Sequence, residues 1–169
     1  MELVRHPPLS DRVGKIELID GEIMHMSPGN MPHWRIQQEV SRALYAALTA
    51  SDPSWAVGTE PTVRVSKRTV RIPDVGAFHN PKMTKKTIFQ VTDLFLAVEV
   101  ADTSLRNDLG RKRADYADAA VPHYWVIDVN GRKTHVMSDP EAGEYGTKRV
   151  IPFGEPLPVP GTDATITVD

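Results

Sequence analysis

Cysteine is absent from the 169 residues, which excludes disulfides, thiol catalysis and cysteine-ligated zinc. Any metal must then be held by oxygen or imidazole. The same absence fits a reducing cytoplasm, and a cytoplasmic protein is expected. No apolar run approaches the roughly 18 residues that span a bilayer. The start of the chain, with Glu2 and Pro7-Pro8, lacks the basic-then-apolar order of a signal peptide, so no membrane partner is expected. A Gly-rich phosphate loop, a His-x-x-x-His zinc pair and a Ser-His-Asp arrangement are not evident either. Nor is there an excess of base: 20 Lys and Arg stand against 22 Asp and Glu, for a net charge of −2. Taken whole, that balance argues mildly against a nucleic-acid partner.

What is present is a chain 40% hydrophobic and 25% charged, the mix of one globular domain spanning residues 1–169. Its charge is unevenly placed. Between residues 64 and 86 stand Arg64, Lys67, Arg68, Arg71, Lys82, Lys85 and Lys86, with Asp74 the single acid among them. The plain reading of such a run is a solvated hairpin surface.

Hydrophobic spacing supplies the elements. Ile16 to Ile19 and Glu22 to Met26 flank Asp20-Gly21, the two-residue turn that suits the strand twist of a tight hairpin, with Leu18 opposite Ile23. Residues 33 to 50 place Ile36, Val40, Ala43, Leu44 and Ala47 at helical intervals, and Asp52-Pro53 stops the helix. Residues 55 to 65 and 69 to 78 alternate as a second antiparallel pair. Leu94 to Val100 is the most continuous apolar segment, the pattern of a central strand buried on both faces. A helix from Thr103 or Ser104 to about Ala120 follows, then strands over 123–129, 132–137 and 144–150, with a turn at Asn130-Gly131. A short edge strand is expected at 165–168. The fold class is α/β (α+β): a mixed central sheet flanked by helices, with an N-terminal β-hairpin.

Three residues resist explanation as packing. Glu99 lies within the apolar strand, where an ionised carboxylate needs a cation, a metal or hydrogen bonds. If Ala97 and Glu99 face one side, Leu96, Val98 and Val100 face the other; the plain alternative is an acid at an exposed strand end. Lys112 falls at the centre of the inward stripe Leu105, Leu109, Tyr116 and Ala119. It either pairs with Glu99 or lays its stem over apolar surface and reaches water. Asp74 follows Pro73 inside an apparent strand, where proline implies an edge or a distortion. Two carboxylates from neighbouring strands suit Mg²⁺ or Mn²⁺, since magnesium keeps several waters and needs only one or two carboxylates.

The order of these pieces resembles the PD-(D/E)xK nuclease superfamily and, within it, the Uma-type family with its restriction endonuclease-like core. The matching segments are Glu17 to Ile23, Met26-Ser27-Pro28 followed by His33, Arg71 to Val75, Val98-Glu99-Val100, Asp108 with Lys112 and Tyr116, and Val121 to Asp128. Together they span roughly residues 16 to 150. The superfamily's lysine two positions after the acid is Ala101 here, and the Uma-type pattern similarly carries a helix lysine at the position of Lys112.

The resemblance implies a metal-dependent nuclease acting on DNA. Asp74 and Glu99 would bind Mg²⁺ with the backbone carbonyl of Val100, and Lys112 would assist water or phosphate. The basic run would contact phosphates without reading sequence. Further candidates are Glu39 and His33 beside the first helix's apolar stripe, Glu60 on the strand before Asp74, and Glu17 beside the hairpin turn. Asp108, four residues before Lys112, reads as its helix-surface partner. A homodimer is a possible assembly, because cutting both strands of a duplex often takes two subunits. Two alternatives remain: an inactive nuclease-like module that binds nucleic acid or protein, and a hydrolase of small phosphate esters with a closed pocket.

Overall fold

The computed structural model describes residues 14–80 and 88–169; Lys82, Lys85 and Lys86 of the basic run lie outside them. Three sheets and one long helix make up most of it. The hairpin forms as the turn chemistry predicts, β1 (Ile16–Ile19) against β2 (Glu22–His25), with Leu18 opposite Ile23. Helix α1 (Met31–Ser51) begins two residues earlier than the periodicity suggests, because Asn30 accepts the His33 N–H at 3.0 Å and Pro32 sits in the first turn.

The two alternating runs that follow do pair, but each is broken in the middle. Glu60, at φ 54°, and Pro61 separate β3 (Trp55–Thr59) from β4 (Val63–Arg64), and Ile72-Pro73 separate β5 (Val70–Arg71) from β6 (Val75–His79). The outer halves, β4 and β5, join the hairpin in a five-stranded sheet ordered β2-β1-β5-β4-β7, where β7 is Phe89–Gln90. The inner halves, β3 and β6, join the main sheet. Proline without an N–H cannot continue the ladder, so the break falls at Pro73, and Asp74 sits at the junction of the two sheets.

The main sheet has six strands in the order β11-β10-β9-β8-β6-β3, with β8 (Leu94–Ala101), β9 (His123–Asp128), β10 (Lys133–Glu141) and β11 (Glu144–Pro152). Only β8 and β9 run parallel within it, so the sheet is mixed. Its two faces are covered differently. Ile36, Val40, Leu44 and Leu48 of α1 pack on Leu96, Val98, Val100 and Trp125. The opposite face, with Ala97, Ala101, Tyr124 and Val126, packs on Tyr116 and Ala117. Strand β8 is therefore buried on both sides, with the alternation its sequence suggests.

The second helical segment departs from a regular helix. It opens with α2 (Leu105–Asn107), passes through a π turn (Asp108–Lys112) and ends in α3 (Arg113–Asp118). Ala117 is buried in place of the predicted Ala119. At the C-terminal end, β12 (Leu157–Pro158) pairs with β13 (Thr165–Ile166), both kept short by the surrounding prolines. Among the described residues no helix is long and apolar enough to cross a membrane.

Candidate active site

The register of the two inner strands builds the site. Val75 of β6 pairs with Val98 of β8 in antiparallel fashion, so the preceding Asp74 and the following Glu99 come side by side. Both line a cleft of about 540 Å³ together with Val100, Lys112, His33 and Asn30. Backbone and side chains hold Asp74 from several directions. Its Oδ2 accepts the Val100 N–H at 2.7 Å and lies 3.1 Å from His33 Nε2; an ionised carboxylate only accepts, so that nitrogen carries the proton. Its carbonyl accepts Gln37 Nε2 at 2.9 Å. Its Oδ1 is ion-paired with the ammonium of Lys15. Burial pushes the Asp74 carboxyl up, but the His33 bond and the Lys15 charge outweigh it and bring the group down to about 2.

Glu99 is 2% exposed and bound by the second helical segment. Lys112 Nζ donates to its Oε2 at 2.9 Å, and the Tyr116 hydroxyl to its Oε1 at 3.3 Å. Lys112 is also 3.1 Å from Asp108 Oδ1. The π turn explains how three side chains spaced by four residues share one face. A regular α-helix rotates about 40° over each such step, and the wider turn offsets that drift. Such turns recur at functional sites. Burial pushes Glu99 up to about 8; Lys112 opposes the rise, and the neighbouring Asp74 and Asp108 add to it. Burial works against the charge on Lys112, yet the carboxylates of Glu99 and Asp108 raise it and keep it protonated.

Three carboxyl groups, those of Asp74, Glu99 and Asp108, thus face the two ammonium groups of Lys15 and Lys112 at the cleft floor. A cation bound beside Glu99 would favour its ionised form against the burial that pushes it up. Among the described residues no three His, Asp or Glu side chains meet in one metal-holding group. Two carboxylates facing one cleft nevertheless suit a hard ion that keeps its waters.

The lesser candidates separate clearly. His33 enters the site through Asp74. Glu60 is half exposed and meets Lys15 at 3.3 Å, at the cleft's margin. Glu17 is buried, but it faces Arg71 Nη1 at 2.8 Å and the Ile72 N–H at 2.9 Å, so it anchors the strand that leads into Asp74. Glu39 does not join: its side chain is 47% exposed and lies near Arg35, one helical position away from the inward Val40. Asp108 is not a surface partner of Lys112 but a buried one, capped by the Ser104 hydroxyl.

The basic run also divides. Arg64 and Lys67 are exposed as expected. Arg68 is exposed, yet its guanidinium grips the Asp20 carbonyl of the hairpin turn. Arg71 overturns its expected role as a phosphate contact. It is fully buried between Glu17 and Asp115, because two acids on different elements compensate it there. Sequence reasoning missed Lys15 and Gln37 altogether. Gln37 stands next to Ile36 on the inward side of α1, a signal that was available; Lys15 had none, since it precedes a strand.

The comparisons with known proteins agree with this architecture. A family model, Uma2, described as "Putative restriction endonuclease", matches residues 2–169. No curated protein matches the chain. Among solved structures, the chain is similar to one described as "a putative nuclease belonging to DUF820" from Anabaena variabilis ATCC 29413. The TM-score is 0.73 at 16% identity, over 90% of this chain and 86% of that one. At that identity the likeness establishes the fold.

Proposed function

The chain belongs to the Uma2 family, and from that premise we propose that it is a divalent-metal-dependent nuclease that hydrolyses phosphodiester bonds in DNA. The observation that carries this reading is the convergence of Asp74, Glu99 and Lys112, from three separate elements, on one cleft. Asp74 and Glu99, with the Val100 carbonyl, would hold Mg²⁺ or Mn²⁺. That ion supplies Lewis-acid polarisation of a phosphate and a water of lowered pKa.

The chain's own groups account for the rest. Lys112, fixed between Glu99 and Asp108, is a charge held in place before substrate arrives, and it stabilises negative charge as it grows on the phosphate. Val100 N–H and His33 orient Asp74, so its other oxygen faces the cleft. Glu17 and Arg71 act at a distance by fixing the strand that presents Asp74. Arg64 and Lys67, together with Lys82, Lys85 and Lys86, would grip the backbone of the nucleic acid without selecting sequence. A homodimer would let two such sites cut both strands.

Plasmid and oligonucleotide cleavage with Mg²⁺ or Mn²⁺ tests the reading. Wild type should cut, and Asp74→Ala and Lys112→Met should each lose activity by about 10²-fold or more. Cleavage that survives both substitutions removes the assigned site. Binding without cleavage under every condition would make the protein a nucleic-acid-binding module of the same fold.

A further inference from the structure

Lys15 enters the site from outside the elements that carry the proposed chemistry, and its position is built. Gly14, at φ +133°, passes so close to Met26 that a Cβ there would collide with the Met26 carbonyl oxygen. The Met26 N–H then donates to the Lys15 carbonyl at 2.9 Å. The backbone at Lys15 is thereby fastened to the strand that leaves the hairpin, while its four-carbon stem carries the ammonium to Asp74.

The two oxygens of Asp74 are not equivalent. Oδ2 is taken by the Val100 N–H and by His33, whereas among the described residues the partner of Oδ1 is Lys15. The oxygen available to a metal is thus the one that Lys15 occupies. An ammonium and a divalent cation on that one oxygen repel each other and compete for its lone pairs. Lys15 can also leave. Its side chain is 21% exposed, against 6% for Lys112, and it borders both the main cleft and an adjoining hollow of about 380 Å³ that includes Glu60.

We propose that Lys15 is a tethered cation that holds the place of the metal at Asp74 in the free protein and is displaced when a divalent ion binds. This rests on the metal-dependent reading above. Asp74 is kept charged and oriented while no ion is present. In exchange, the apparent affinity for metal is lowered by the strength of the ion pair that must open.

Isothermal titration of the whole protein with Mn²⁺, without nucleic acid, tests this independently of activity. Wild type should bind an ion that Asp74→Asn abolishes. Lys15→Met should tighten that binding about tenfold, the scale of one charge-assisted hydrogen bond, and lower the melting temperature of the metal-free protein. Equal or weaker binding by Lys15→Met, with wild type binding normally, overturns the proposal and leaves the metal reading standing. Absence of Asp74-dependent binding in wild type overturns both. Should Lys15→Met fail to fold, the ¹³C ε-methylene resonance of Lys15 in wild type gives the same answer. It should shift as Mg²⁺ saturates the site, and a resonance that stays in place at saturation overturns the proposal.

Discussion

At the scale of single residues, burial turns charge from a surface property into a constraint on neighbours. Lys112 and Arg71 are both cations in a net-negative chain, and both are held by two acids out of reach of water. Removing one member of such a set leaves the others unpaired, which costs about 3 kcal/mol or more. Lys112→Met should therefore lower stability by about that amount, and Lys112→Met combined with Glu99→Gln should recover much of it; urea denaturation of both variants is the check. Arg71→Ala should be similarly damaging in the same assay, whereas Arg64→Ala, a few residues away and exposed, should stay within about 0.5 kcal/mol of wild type.

At the scale of elements, irregularities do the positioning. Pro73 hands the chain from one sheet to the other and leaves Asp74 at the seam. The π turn keeps Asp108, Lys112 and Tyr116 on one face. Deleting Gly110 within that turn should restore a regular helix and, with Asp108 then three residues from Lys112, turn the two about 60° out of line. Cleavage should fall while the helical signal in circular dichroism is retained. The end of α1 offers a pH test. Asp52 is brought down to about 2, chiefly by its bond to His79 and then by the Ser54 N–H. A depressed carboxyl contributes stability above its unfolded value of 3.8, and that contribution is lost as pH falls toward about 2. Acid unfolding followed by fluorescence should accordingly show a difference between wild type and Asp52→Asn at pH 5 that closes by pH 2.

For the whole molecule, a net charge of −2 conceals a division between a cleft floor rich in carboxyl groups and exposed bases on β4 and the turn after it. Binding to duplex DNA in the presence of a chelator should weaken steeply with salt. Arg64→Ala and Lys67→Ala should each lower the slope of log affinity against log salt by about 0.9 if they meet phosphates. Arg68→Ala should change it less, because its guanidinium already serves the hairpin turn. Filter-binding or anisotropy titrations over a range of salt concentrations distinguish the three.

Much of the fold was legible in the order of residues, because periodicity and turn chemistry act locally. The Asp20-Gly21 hairpin, the stripe of α1 and the doubly buried β8 follow from spacings within a few residues. The pairing of Glu99 with Lys112 was one of two readings open to the sequence, and the packing of the strand on the helix after it decides between them. What the sequence could not decide were the contacts between distant segments. Arg71 and Lys67 look alike in a basic run, and only the approach of Glu17 and Asp115 makes one of them interior. Lys15 lies 59 residues from Asp74, and no local pattern links them. The residue types at the candidate site were thus set by sequence, whereas tertiary structure decided which charges lose their water, because desolvation depends on what the rest of the chain brings to each one.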